Sequence, residues 1–267
     1  MYFWQKSYMK NILFCSLIVG LLYSCSEKGK IETDYKVYEV HGNVRQIAYS
    51  SAKPNEKDVT VTFNRDGMLE LEKIRGRSFE YKYDGTCVVS LKAYVGDSVD
   101  LRRTFEYKND LPVEIKEYDG AGTFRKKVLY EYNSDGNRIR GVILNPYNDT
   151  MFVWKYTYKD TLVMQETRTN YQGSAKYVQT FDYTYNEKGE LSSIVESSDG
   201  EIYTKTEYKT FHTVPLQTTV INYWDNQPSD SSTMMYVFDE KGNWIFKRTK
   251  SSGGREQRQE RTIMYYK

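Results

Sequence analysis

The chain has 267 residues, 39% hydrophobic and 28% charged, with 38 Lys and Arg against 36 Asp and Glu. This near-balance, without a basic tract or stripe, excludes a charge-built nucleic-acid surface. Aromatic residues make up 15% of the chain, with 26 tyrosines, whereas 3 cysteines and 2 histidines exclude a disulfide scaffold.

Residues 1–24 carry Lys6 and Lys10, no acid, and an apolar run from Ile12 to Tyr23. The run is about a dozen residues, short of the roughly 20 needed to span a bilayer, so it predicts an export signal rather than a transmembrane helix. It ends in Leu22-Tyr23-Ser24-Cys25, which resembles the lipobox of bacterial lipoproteins. The resemblance implies acylation of Cys25 and cleavage just before it, so that the N-terminal lipid holds the chain at the outer membrane. Removing Lys6 and Lys10 takes 38 bases to 36, against 36 acids. Residues 25–34 are polar and short, a tether. Cys25-Ser26-Glu27-Lys28 lacks a run of acids resembling a surface-export signal, which leaves both the periplasmic and the surface face open.

From residue 35 to 267 the sequence repeats. Taking the last aromatic residue before each turn gives Tyr38, Phe63, Tyr83, Tyr107, Tyr132, Tyr158, Tyr185, Phe211, Phe238 and Tyr265, spaced by 20 to 27 residues. A period this regular marks a repeat architecture. Before each anchor, large apolar residues occupy alternate positions, as in Phe79/Tyr81/Tyr83 and Phe181/Tyr183/Tyr185, with polar neighbours between them. That is the period of a strand with one aromatic face and one wet face. Gly42, Gly67, Gly136, Gly189 and Gly242 each lie four residues past an anchor, usually after Asn or Asp, which predicts a hairpin loop closed by a left-handed residue. Asp84-Gly85, Asn109-Asp110 and Asp160-Thr161 predict tighter two-residue turns. The two classes alternate from Tyr107 onward, so Tyr132, Tyr185 and Phe238 are 53 residues apart and the unit is a pair of hairpins. Ser251-Ser252-Gly253-Gly254 is the last connection before a closing strand, and Cys87, in a β-branched stretch, reads as a small core residue.

These features predict an all-β, elongated antiparallel sheet of about 18–20 strands, curled or spiral, with its aromatic face inward. Tyrosine suits a thin core because its ring packs across strands while its hydroxyl reaches water or a carbonyl. The Y-x-Y-[DN]-x-x-G pattern, the period and the export signal together resemble the YD (tyrosine-aspartate) repeats of the RHS family, in the shorter form found in Bacteroidetes lipoproteins. The resemblance covers residues 35–267 and implies a β-hairpin spiral at the envelope with carbohydrate or protein contacts. No RHS core-associated C-terminal domain follows, and toxin encapsulation is not carried over.

Catalytic signatures are absent: there is no H-E-x-x-H, G-x-S-x-G or P-loop, and His41 and His212 both fall in predicted turns. The turn acids Asp66, Asp84, Asp135 and Asp239 read as turn chemistry, so neither a metal nor another cofactor is expected. Strand tyrosines recurring in every unit read as core. Trp224 and Tyr223, in Tyr223-Trp224-Asp225-Asn226 between hairpins, are the candidate ligand contacts. The expected function is a non-enzymatic envelope lipoprotein that binds a glycan or a partner protein, or serves structurally. The alternative is a glycan-active hydrolase using paired carboxylates, about 5–10 Å apart.

Overall fold

The computed structural model describes residues 40–51, 59–74, 76–173, 176–211, 216–224 and 227–266. They form β1 (Val44–Ser51), β2 (Val59–Phe63), β3 (Leu69–Ile74), β4 (Arg77–Asp84), β5 (Cys87–Val95), β6 (Ser98–Lys108), β7 (Leu111–Asp119), β8 (Phe124–Tyr132) and β9 (Arg138–Leu144). The second half continues with β10 (Thr150–Lys159), β11 (Leu162–Asn170), β12 (Tyr177–Tyr185), β13 (Leu191–Ser198), β14 (Glu201–Phe211), β15 (Leu216–Trp224), β16 (Gln227–Phe238), β17 (Trp244–Ser251) and β18 (Glu256–Tyr265). The signal segment, Cys25, Tyr38 and His212 lie outside the described residues.

Every strand pairs antiparallel with its neighbours in sequence, and β1 also pairs with β18 through Ile47↔Ile263 and Tyr49↔Arg261. The elongated, spiral sheet expected from sequence is therefore corrected: the sheet closes into an 18-stranded barrel. At about 4.8 Å per strand its circumference is roughly 86 Å before strand tilt is included. Sheets this wide curl because strand twist accumulates. Here repeated β-bulges sharpen the curl. In seven of the eight hairpins that turn at a repeat anchor the register slips beside the anchor, leaving one extra residue on the returning strand, such as Val89 opposite Lys82/Tyr83 or Val113 opposite Glu106/Tyr107. Bulges add local twist and bend, which is what closure of a wide sheet requires. The β1–β18 seam carries the same slip, between Val44 and Gln46 opposite Tyr265 and Met264. The seam is thus a repeat hairpin whose two strands come from opposite ends of the chain.

All the anchor turns fall on one end of the barrel, here the turn rim; the other connections form the far rim. Both ends of the described chain, Val40 and Tyr266, lie at the turn rim, because β1 leaves it and β18 returns to it. The five expected glycines have φ between +76° and +80°. In each of the four described loops the residue after the anchor (Asn64, Asn133, Asn186 or Asp239) accepts backbone amides two and four residues on. The anchors themselves are linked. Tyr107 donates to the carbonyl of Val88, Tyr132 to Pro112, Tyr158 to Arg138 and Tyr185 to Val163, at 2.8–2.9 Å. Each acceptor is the residue paired opposite the preceding anchor. Every such bond satisfies both a rim carbonyl and a half-buried phenol, for roughly 0.5–1.5 kcal/mol net.

The aromatic face points inward. On β6, Ser98, Asp100, Arg102, Thr104, Glu106 and Lys108 are exposed, while the alternate Val99, Leu101, Arg103, Phe105 and Tyr107 are half-buried or buried. The outward face holds exposed ion pairs such as Lys116 with Glu106 and Glu114. A wall facing hydrocarbon needs an apolar outer band instead, so these strands are dressed for water. The dry core is one-sided: Val44, Ile47, Val61, Phe63, Val88 and Leu91 are at most 1% exposed. Among the residues of β12–β16 whose side chains are described none is buried, so these five of the eighteen strands carry no dry core. Cys87 opens β5 half-buried and is disulfide-bonded rather than the lone thiol expected.

Candidate functional site: the far rim

Five of the large hydrophobic side chains with appreciable exposure sit at the far rim: Val95, Tyr147, Tyr171, Tyr177 and Ile202. Tyr147 is 84% exposed, which is exceptional for an aromatic in a protein whose repeat-anchor tyrosines pack inward. It stands at the tip of the β9–β10 loop. Asn145 accepts the amides of Tyr147 and Asp149 at 2.9 Å, its Nδ2 donates to Asp149 Oδ2 at 3.0 Å, and Asn148 takes a φ of +67°. This is the turn-rim loop rebuilt at the other end, with Asn148 in the place of glycine. Two residues past the capping Asn or Asp the repeat loops carry Asp66, Asp135, Lys188 and Lys241. Tyr147 replaces that solvated charge with an aromatic ring on a rigid stem.

The neighbouring β11–β12 loop brings in Tyr171 and Tyr177. The Tyr171 amide donates to the Met151 carbonyl at 2.9 Å, next to the base of the Tyr147 loop, and Tyr177 pairs with Asn170. Lys176 Nζ lies 5.8 Å from the Tyr171 ring centroid. Sequence reasoning passed over all three tyrosines because it assigned tyrosine to the core as a class. The usable signal was Asn145-Pro146-Tyr147-Asn148-Asp149, a repeat-type turn whose variable position had become aromatic.

The two residues singled out from sequence also reach this rim, as the last two of β15 rather than in the connection after it. Tyr223 donates to Glu207 at 2.9 Å, with Lys205 Nζ 5.5 Å from its ring. The bond to Glu207 raises the phenol pKa, and Lys205 lowers that of Glu207. Trp224 pairs through its backbone with Thr204 and Gln227.

Buried carboxylates occur inside the wall, each with its own donors. Tyr81 donates to Glu72 at 3.2 Å, and Glu117 pairs with Arg103 at 2.8 Å and Lys126 at 3.3 Å. Glu166 receives Arg168 Nε and Nη2 at 2.7 and 2.9 Å and the Tyr183 and Tyr156 hydroxyls at 3.1 and 3.4 Å. Burial, reinforced by Glu166, holds Tyr156 and Tyr183 well above the ordinary tyrosine pKa. Glu72, Glu117 and Glu166 lie on β3, β7 and β11, so neighbours in this series are four strands, or about 19 Å, apart along the wall.

At the turn rim the chain ends are clasped by Asn243, which is fully buried. Its Oδ1 accepts the His41 amide at 2.6 Å, and its Nδ2 donates to the His41 carbonyl at 3.0 Å and the Tyr265 hydroxyl at 2.7 Å. Tyr265 in turn donates to Asp239 at 2.5 Å, and Tyr266 to the Phe63 carbonyl at 2.6 Å. His41 is a turn residue, as expected, whose backbone forms half of this clasp.

No protein-family profile matches the sequence, and no curated protein is significantly similar to it. Solved structures offer fold likenesses only. A porin-like protein from Bacteroides uniformis superposes with a TM-score of 0.46 at 12% identity, over 83% of this chain and 96% of that one. A porin-like protein from Bacteroides vulgatus gives 0.33 at 9% identity, over 85% and 99%. The TcdB2-TccC3 structure gives 0.33 at 11% identity over 76% of this chain, which spans 14% of that one.

Proposed function

We propose that the protein is a non-enzymatic envelope lipoprotein: acylated at Cys25 and tethered at the outer membrane, its YD-like barrel stands in water and offers the far rim to a glycan or a partner protein. The observation carrying this reading is the polarity of the barrel. Both ends of the described chain meet at the turn rim, while the exposed tyrosines crown the opposite end. A lipid on Cys25 would make the turn rim membrane-proximal and the tyrosine rim distal. The charged outer strand positions on β4 and β6 support a barrel beside the membrane rather than within it. The separation of the buried carboxylates, with Glu117 and Glu166 each paired to a basic side chain, favours binding over the glycan-active hydrolase.

Mass spectrometry of protein extracted from membranes reads the processing. The expected product begins at an acylated Cys25; an intact leader refutes the lipoprotein reading. Cys25→Ala should release the barrel from the membrane fraction, and protease shaving of intact cells assigns the barrel to the surface or the periplasm.

A further inference from the structure

The reading of the far rim as a binding surface can be taken to a ligand class. We infer that Tyr147, Tyr171 and Tyr177 form a stacking platform for the pyranose rings of a neutral oligosaccharide, with Asn148, Thr150 and Gln172 supplying hydrogen-bonding groups at its edge. The inference rests on that reading of the rim and is carried by four observations.

The first is local departure from the repeat. An aromatic ring replaces a charged residue at the one loop position where every described repeat turn carries charge, and no packing explains it at 84% exposure. The second is preorganisation: five bonds within residues 145–149 hold the Tyr147 loop, so little order is lost on binding.

The third is size. With exposures of 84%, 44% and 42%, and roughly 200 Å² per tyrosine, the three side chains offer about 340 Å². A specific protein interface needs about 800 Å² per partner; a few sugar rings need far less. The fourth is charge. Asn145-Pro146-Tyr147-Asn148-Asp149 and Tyr171 to Lys176 hold one acid and one base, Asp149 engaged by Asn145 and Lys176 beside the Tyr171 ring. A balanced site lacks the cationic excess that an anionic polymer selects. A bilayer surface is disfavoured because Val40, where the described residues begin, lies at the opposite rim.

The test uses the full-length protein in detergent with maltohexaose, cellohexaose, mannohexaose, xylohexaose and chitohexaose as probes. Saturation-transfer NMR detects binding and calorimetry gives affinity. At least one hexasaccharide should bind, with ring protons saturated from tyrosine. Tyr147→Ala should weaken it about three- to tenfold, as should Tyr171→Ala, whereas Tyr147→Phe, which keeps the ring, should stay within about twofold. Tyr147 is too exposed for its loss to unfold the barrel, and a matching thermal melt checks this. The proposal is overturned if none of the five probes binds, if binding ignores both alanine variants, or if the rim captures a protein in a Tyr147-dependent way. None of those outcomes touches the anchoring at Cys25, which its own release assay decides.

Discussion

Replacing Asn243 with alanine tests whether the barrel is held shut by its clasp. The substitution removes three hydrogen bonds to segments about 200 residues and 22 residues away in sequence, and it strands the amide and carbonyl of His41. At roughly 0.5–1.5 kcal/mol per bond the expected loss is about 3 kcal/mol. For a domain of this size, 1 kcal/mol moves Tm by about 2–4 °C, so a fall of about 6–12 °C is expected. Thermal unfolding gives the magnitude, and native-state hydrogen exchange gives the location: amides of β1 and β18 should exchange faster than those of β6 and β7. Asn137→Ala is the control, since Asn137 holds the same position after Gly136 in the β8–β9 turn but lies away from the seam. Its cost should stay within about 0.5 kcal/mol. If Asn243→Ala melts within that same margin, or if Asn137→Ala costs as much, the clasp does not close the barrel.

Three further outcomes follow from the wall. Tyr132→Phe deletes the bond to the Pro112 carbonyl while keeping the ring, and urea titration should show a loss of about 1 kcal/mol. Gly141→Ala should cost about 1–3 kcal/mol by overpacking, because a Cβ there would lie 2.7 Å from Trp154 Cε3 and 3.3 Å from Tyr130 Cδ1; Trp154→Leu in the same chain should recover part of it. Burial raises the phenol pKa of Tyr132, Tyr156 and Tyr183. A group raised in the folded state stabilises below its unfolded pKa, about 10 for tyrosine, and that stability is lost as pH climbs toward the folded value. The chain should therefore hold its stability to about pH 10 and lose it above, with ultraviolet titration showing a delayed, unfolding-linked phenolate fraction; simple titration of all tyrosines near pH 10 without unfolding would contradict this.

Much of this architecture could be read without coordinates, because short-range chemistry sets it. The alternation of Phe79, Tyr81 and Tyr83 and the glycines after Asn or Asp specify strands and turns locally, and both recur where expected. Closure was not legible. It depends on one extra residue in most of the hairpins, such as Val89 or Val113, and in sequence a bulge is only a strand one residue longer. The partner of β1 is supplied from 200 residues away, which no local pattern encodes. Asn243 resembles any turn asparagine until the fold brings His41 against it. At the site the failure was one of classification: tyrosine recurs so regularly as core that Tyr147 passed as another instance, although its place in the loop differed from its counterparts.

The seam has one more effect. A ribbon of tyrosine- and threonine-rich strands left open would present two rows of unpaired amides and carbonyls, the kind of border onto which further copies of the same chain can add. Joining Val44–Ser51 to Glu256–Tyr265 consumes both borders at once. Wherever the protein reaches high local concentration, finishing the circle is therefore what keeps neighbouring molecules separate, and a seam-weakened variant should reveal itself first as aggregate.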